Sequence, residues 1–95
     1  MASGDKMYIG IKSIQRGTIV IKNGSSSASA TISPVNVNKT ILNNTGFMTS
    51  FAGSGGYAAL WNGYIQLENE TTITAKRYGY ENNDLTIGYE VIEFY

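Results

Sequence analysis

Cysteine and histidine are both absent from this chain, and proline occurs once. Without cysteine there is no disulfide, no thiolate metal ligand and no thiol nucleophile. Without histidine the chain also lacks the usual general base and the commonest zinc ligand. We therefore expect a protein that is not an enzyme, with no catalytic residues, no metal site and no cofactor.

Long apolar runs and an excess of one charge are missing as well. No stretch has the continuous apolar length of a membrane helix, and the N-terminus does not place a basic segment before an apolar one. Basic and acidic residues number 7 each, so the formal net charge is zero. Nonspecific nucleic-acid binding needs an excess of positive charge. We expect neither nucleic acid nor membrane among the partners.

The zero net charge hides an uneven distribution along the chain. Residues 1–50 carry five basic residues and one acidic residue, a balance of +4, and residues 51–95 carry two basic and six acidic residues, a balance of −4. One interpretation is that the two halves pair within the molecule. The other is that the basic face of one molecule meets the acidic face of another.

The clearest pattern present is the alternation over residues 85–94. One row is apolar and consists of Leu85, Ile87, Tyr89 and Val91. The opposite row starts with Thr86, Gly88 and Glu90 and turns apolar at Ile92 and Phe94. Period two with β-branched and aromatic residues predicts a half-buried strand, because successive side chains point to opposite faces. We expect this to be the central strand of a sheet.

Further short strands separated by turn residues predict an all-β fold. We expect strands near residues 7–14, 18–22, 28–33, 39–43, 57–61, 64–68, 71–77 and 85–94. About six to eight such strands indicate an antiparallel β-sandwich or a partly open barrel. Gly17 predicts a bulge or bend, and Asn23–Gly24 predicts a hairpin turn.

Residues 1–10 are predicted to be an N-terminal arm and residues 11–95 a single domain. The predicted core is Ile19, Ile21, Ile32, Ile73, Ile87, Tyr89 and Val91.

Few residues suggest chemistry. Paired carboxylates serve glycosidases, and Glu68 with Glu70, or Glu90 with Glu93, are the pairs close in sequence. Acids beside a turn or on the outer side of a strand are more often simply solvated. Residues 81–84 offer oxygen atoms to calcium but are more typical of a turn. Tyr78, Tyr80 and Arg77 lie in or beside a polar loop, and we predict them as surface or ligand contacts.

The first half of the chain contains residues 11–19 (IKSIQRGTI), 28–35 (ASATISPV) and 38–39 (NK), and the second half contains residues 67–77 (LENETTITAKR) and 85–94 (LTIGYEVIEF). Together these segments resemble small structural proteins of tailed-bacteriophage virions. The pattern is also distantly similar to the H-type lectin sandwich, a trimeric fold. The resemblance implies a component of the virion surface made in the host cytoplasm, either a capsid decoration protein or a tail-fibre or tail-tip module that binds host carbohydrate or a receptor.

The resemblance also bears on partners. It implies contact with other virion proteins, namely major capsid or tail proteins, and a homo-oligomer, with a trimer favoured and a glycan as an alternative ligand. From the sequence we predict a subunit interface formed by apolar residues at strand ends or where alternation fails. They are Met7, Tyr8, Phe47, Met48 and Phe51.

Overall fold

The computed structural model describes residues 10–49, 63–77 and 83–95, and these ranges form two antiparallel sheets packed together. The first sheet has the order β1–β6–β3 and the second the order β2–β5–β4. A 3-10 turn at Val37–Lys39 precedes β3. The strands are β1 (Ile11–Ile21), β2 (Ser27–Thr31), β3 (Thr40–Thr49), β4 (Gly63–Asn69), β5 (Thr72–Arg77) and β6 (Leu85–Phe94). The predicted all-β sandwich is thus confirmed, with six strands in the described ranges.

Strand β6 is the centre of the first sheet, as its alternation predicts. It pairs with β1 on one edge and with β3 on the other, antiparallel in both cases. Every second residue from Leu85 to Glu93 is buried, and the residues between them are half-buried. The end of the chain is held in place, because Tyr95 N donates to Gly10 O at 3.1 Å.

The core lies between the inner faces of the two sheets. All seven residues predicted for it are buried, at 8% relative exposure or less. Val35, Ala75 and Leu85 are buried with them. In the second sheet, Ala28 and Ile65 face each other across Ala75, and Ala30 and Leu67 flank Ile73. The period-two pattern therefore predicted the correct facing of every strand that carries a core residue.

The Asn23–Gly24 turn is present but does not form the predicted hairpin. Ser25 N donates to Lys22 O at 2.9 Å, and Gly24 has a φ of 83°, which glycine adopts without steric cost. However, β1 pairs with β6, and β2 pairs with β5. The turn therefore carries the chain from one sheet to the other. The prediction was wrong about pairing because a turn signal is local and does not specify the partner strand.

The predicted bulge or bend at Gly17 is also wrong, since β1 pairs with β6 in continuous register from Ser13 to Ile21, and its register shift lies between Ile11 and Ser13. Gly17 lies directly opposite Tyr89 in the register. A Cβ atom at this position would lie 2.6 Å from the Tyr89 hydroxyl oxygen. The glycine therefore makes room for the buried tyrosine ring, which packs across the neighbouring strand.

Strand β3 extends beyond its predicted end at residue 43. Its register with β6 shifts between Asn44 and Gly46, which marks a bulge, and pairing then continues to Thr49. Asn44 Oδ1 accepts a hydrogen bond from Gly46 N at 2.8 Å and so satisfies that amide within the bulge. Residues 1–9 of the predicted arm and the predicted strand at 57–61 lie outside the described residues.

Replacing Ile87 by Ala tests the position of the core. Ile87 is fully buried on β6, so its truncation leaves a cavity and is expected to lower the free energy of unfolding by about 2–5 kcal/mol. Urea denaturation measures the change. Ile41→Ala is the control, because Ile41 is 50% exposed on the opposite face of the same sheet. A loss below about 1 kcal/mol for Ile87→Ala would show that the facing is inverted.

Candidate functional site

The outer face of the β1–β6–β3 sheet is apolar at one end. Ile14 and Ile41 both pair with Ile92, so three isoleucines lie side by side on three strands. Ile11 pairs with Phe94 next to them. Ile11, Ile14 and Ile41 are 53%, 43% and 50% exposed. We call these five residues the outer isoleucine patch. Apolar side chains at this density on an outer face mark a surface that protein contacts commonly cover.

A charged row crosses the same face beside the outer isoleucine patch. Arg16 and Asn43 are the cross-strand neighbours of Glu90. Arg16 Nε donates to Glu90 Oε2 at 2.8 Å, and Asn43 Nδ2 donates to Oε1 at 3.2 Å. These hydrogen bonds, that from Arg16 first, hold the pKa of Glu90 below its ordinary value of 4.5. The row contains one positive and one negative charge and is therefore neutral.

A shallow hollow of about 260 Å³ lies beyond the charged row. Two facing glycines, Gly46 on β3 and Gly88 on β6, form its floor. A side chain at Gly88 would collide with the hydroxyl of Thr45, the extra residue of the bulge. The other lining residues supply three hydroxyl groups and apolar surface, and they are Thr18, Thr45, Phe47, Met48 and Thr86.

The outer face of the second sheet has a different chemistry. Its cross-strand rows are Ser27–Lys76–Tyr64, Ser29–Thr74–Gln66 and Thr31–Thr72–Asn69. Hydroxyl and amide groups dominate these rows, and Tyr64 is 52% exposed. The two outer faces of the sandwich thus differ, because one carries apolar groups and the other carries groups that water solvates well.

Arg77, predicted as a surface or ligand contact, is instead buried at 5% exposure. Its Nε donates to Ser25 O at 2.9 Å, and its Nη2 donates to Lys22 O at 3.1 Å and to Asn83 O at 2.9 Å. Its Nη1 donates to Asn83 Oδ1 at 3.2 Å. The guanidinium therefore joins the turn after β1 to the segment before β6, and the surface prediction for this residue is wrong.

Replacing Arg77 by Met tests this structural role. The change removes the side-chain donor to the carbonyls of Ser25 and Asn83 and one of the two donors to the carbonyl of Lys22, so we expect the free energy of unfolding to fall by about 2–4 kcal/mol. Chemical denaturation measures it. Lys76→Met is the matched control, because Lys76 is the exposed neighbour on the same strand, and its loss should stay within about 0.5 kcal/mol. Equal losses of unfolding free energy for Arg77→Met and Lys76→Met would contradict the structural role of Arg77.

Of the carboxylate pairs considered as catalytic, Glu90 and Glu93 lie on opposite faces of the sheet. Glu90 lies on the outer face, whereas Glu93 belongs to the inner row and is 4% exposed. Glu93 accepts hydrogen bonds from Asn36 N at 2.8 Å and from Ser13 Oγ at 3.2 Å. Glu68 and Glu70 are exposed at the β4–β5 hairpin, whose turn is Glu70–Thr71. The carboxylate of Glu93 thus anchors the backbone that leads into β3.

The part of residues 81–84 that the structure describes has structural contacts. Asn83 is 2% exposed and binds Arg77 through its side chain. Asp84 Oδ1 accepts a hydrogen bond from Asn23 N at 2.7 Å. That bond, more than the nearby charge of Lys22, holds the pKa of Asp84 below its ordinary value of 3.8. Within the described ranges, no group of three acidic side chains is arranged to hold a metal ion.

Most of the other predicted contact residues lie outside the described residues, namely Met7, Tyr8, Phe51, Tyr78 and Tyr80. Phe47 and Met48 are described, and they are 39% and 66% exposed near the end of β3. Sequence reasoning did not single out Ile14 and Ile41. The available signal was the change of the β6 outer row from polar to apolar residues at Ile92. It did not point to Ile14 and Ile41, because their position beside Ile92 follows only from the strand order.

Among the described residues, three ion pairs connect the basic first half of the chain to the acidic second half. They are Arg16–Glu90 at 2.8 Å, Lys22–Asp84 at 3.5 Å and Lys12–Glu93 at 3.9 Å. All three lie within the molecule. The intramolecular interpretation of the uneven charge distribution therefore accounts for these pairs without a second molecule.

The lowered pKa of Glu90 predicts a specific pH response. Its folded pKa lies below 4.5, so the charged row stabilises the fold above that pH and the contribution is lost as the pH falls through the folded pKa. An NMR titration of the side-chain carboxyl carbon should give a pKa below 4.5 that rises in Arg16→Gln. Lys22→Gln is the control and should leave it unchanged. A wild-type pKa at or above 4.5 would contradict the geometry.

Comparisons with protein-family models, with curated proteins and with solved structures find no match to this chain. Among the described residues, no helix has the length and apolar character needed to cross a membrane.

Proposed function

We propose that this chain is a non-enzymatic structural protein of a bacteriophage virion that decorates the capsid surface. Two lines of reasoning support the proposal. The phage context comes from the resemblance of residues 11–35 and 67–94 to virion proteins. The structural role comes from the contrast between the two outer faces of the sandwich.

That contrast is the observation that carries the proposal. Contiguous apolar patches on the surface of a soluble protein often mark contact sites for other proteins. The outer isoleucine patch provides such a surface on the β1–β6–β3 sheet. The hydroxyl-rich face of the β2–β5–β4 sheet is suited to water. A domain with these two faces is oriented in an assembly, with one face against protein and the other toward solvent.

Three of the described acidic side chains have structural partners, which also favours a structural role. Glu93 holds the backbone at Asn36, Asp84 holds the turn at Asn23, and Glu90 is bound by Arg16 and Asn43. A catalytic pair would instead place two carboxylates on either side of a substrate site. These three carboxylates lie at different places and stabilise different connections.

A second candidate is a tail-fibre or tail-tip module that binds carbohydrate. The hollow over Gly46 and Gly88 favours it, because the hydroxyls of Thr18, Thr45 and Thr86 surround apolar surface from Met48. Sugar ligands use this combination of polar and apolar contacts. Glycan-array binding that Thr86→Val abolishes would support the tail module over the decoration protein.

Assembly with major capsid or tail proteins and with further copies of the chain is part of the proposal. Decoration sites on a capsid are symmetric, and weak contacts gain strength when several copies engage together. The resemblance suggests three copies, with Phe47 and Met48 among the candidate contacts.

The direct test is to add the purified protein to capsids of the encoding phage from which it has been removed. We expect the wild-type protein to sediment with these capsids. Ile41→Glu should weaken binding at least tenfold, because it places a charge in the outer isoleucine patch. Gln66→Glu is the control, since it adds the same charge to the outer face of the other sheet.

Failure of the wild-type protein to bind the capsids would reject the decoration role. Equal binding by Ile41→Glu and Gln66→Glu would show that the outer isoleucine patch takes no part in it. Circular dichroism of both variants confirms that each retains its β structure.

A further inference from the structure

We propose that the Asn23–Gly24 turn is a self-modification site, at which the folded protein converts the side-chain amide of Asn23 to a carboxylate. Both reacting groups belong to the chain, and water is the co-reactant. The inference goes beyond the proposed function and does not rest on it. Its basis is the geometry of the turn and the contrast with the second Asn–Gly pair of the chain, at residues 62–63.

The tip of the turn leaves both reacting groups accessible. Asn23 and Gly24 are exposed. Among the described residues, the Asn23 side chain and the Gly24 amide have no hydrogen-bond partner. A Cβ atom on Gly24 would meet nothing within 4 Å beyond its chain neighbours, and glycine has no side chain to shield its own amide. The Gly24 nitrogen can therefore approach the Asn23 side chain without losing a contact.

The base of the turn is held independently of its tip. Ser25 N donates to Lys22 O at 2.9 Å, and Arg77 donates to the carbonyl oxygens of both Lys22 and Ser25. The Asn23 backbone amide donates to Asp84 Oδ1 at 2.7 Å. None of these bonds uses the reacting side chain or the reacting amide. The reaction therefore breaks no hydrogen bond of the turn, and the native fold presents its reactants.

The reaction proceeds through a succinimide ring. After the Gly24 amide loses its proton to a solvent base, its nitrogen attacks Cγ of Asn23. The new N–C bond replaces the bond from Cγ to Nδ2, which leaves as ammonia. Water then opens the ring at either of its carbonyl carbons and yields aspartate or isoaspartate. One water is consumed and one ammonia is released, so the step needs no oxidant, reductant or cofactor.

The second Asn–Gly pair has different surroundings. Gly63 begins β4 and pairs with Arg77 on β5. A Cβ atom on Gly63 would lie 3.1 Å from Lys76 O and 3.2 Å from the Leu85 side chain. The backbone of this glycine is thus enclosed by its neighbours. Its nitrogen becomes available for attack when the end of the strand opens.

The product changes the charge and the length of the turn. Conversion of one amide to a carboxylate changes the formal net charge from 0 to −1. The new negative group lies beside Asp84, which already accepts from the backbone of the same residue. Isoaspartate also adds one atom to the main chain between Lys22 and Ser25. The connection between the two sheets therefore lengthens in that product.

Tandem mass spectrometry of protein stored in its folded state provides the first test. We expect the mass increase from amide to acid to accumulate at Asn23 at least roughly tenfold faster than at residue 62, because the second site needs local opening. In guanidinium chloride the two rates should become similar, since both asparagines then precede glycine in an unfolded chain. Equal rates in the folded protein, or no acid at Asn23, would overturn the proposal.

Substitutions separate the two sites by charge. Ion-exchange chromatography should show an acidic species that grows at the wild-type rate in Asn62→Gln. The species should be lost in Asn23→Gln, because the longer side chain closes the required ring far more slowly. That variant keeps the backbone amide whose hydrogen bond Asp84 accepts. An acidic species that forms at the wild-type rate in Asn23→Gln would overturn the assignment of the site.

Isoaspartate identifies the attacking group. Attack by the Gly24 nitrogen gives both aspartate and isoaspartate, whereas direct hydrolysis of the amide gives aspartate alone. An endoprotease that cleaves before aspartate and not before isoaspartate distinguishes the two products. We expect both at position 23. A product that consists wholly of aspartate would rule out the Gly24 attack and overturn the proposal.

Discussion

The pairing of β6 on both of its edges is the constraint on which the rest of the structure depends. Because β1 and β3 are fixed to the same strand, one register decides which residues enter the core and which reach the outer face. A shift by one residue would exchange the two rows. It would place Glu90 in the core and Ile87 in water. The burial of alternate residues from Leu85 to Glu93 thus fixes the outer isoleucine patch as firmly as it fixes the core.

Buried polar groups close the ends of the sandwich where apolar packing stops. Arg77 satisfies backbone carbonyls at Lys22, Ser25 and Asn83, and so joins the turn after β1 to the segment before β6. Near the other end, Glu93 accepts a hydrogen bond from the Asn36 amide and so holds the segment that leads into β3. Loops and turns leave backbone groups without ladder partners, and a buried group without a partner costs about 1–3 kcal/mol. This small sandwich therefore uses charged side chains as internal connections.

The sequence predicted the fold and the core well because both depend on a local alternation of apolar and polar residues. It did not predict what depends on the order of strands. Asn23–Gly24 indicated a turn correctly, but the partner of β2 is β5, far along the chain. Gly17 looked like a bend because its pairing with Tyr89 was unknown. Arg77 looked like a surface residue because only the closed structure brings carbonyl groups around it. The apolar end of the β6 outer row was visible, but its neighbours on β1 and β3 were not.

The central claim is that the outer isoleucine patch is the surface by which this protein associates. Isoleucine methyl NMR tests it directly, because the chain has isoleucine on both faces of the same sheet. On addition of the major capsid protein, the methyl signals of Ile14, Ile41 and Ile92 should shift together, whereas those of the buried Ile21 and Ile87 should stay fixed. Signals that stay fixed for the outer isoleucines, or that move equally for the buried ones, would contradict the account.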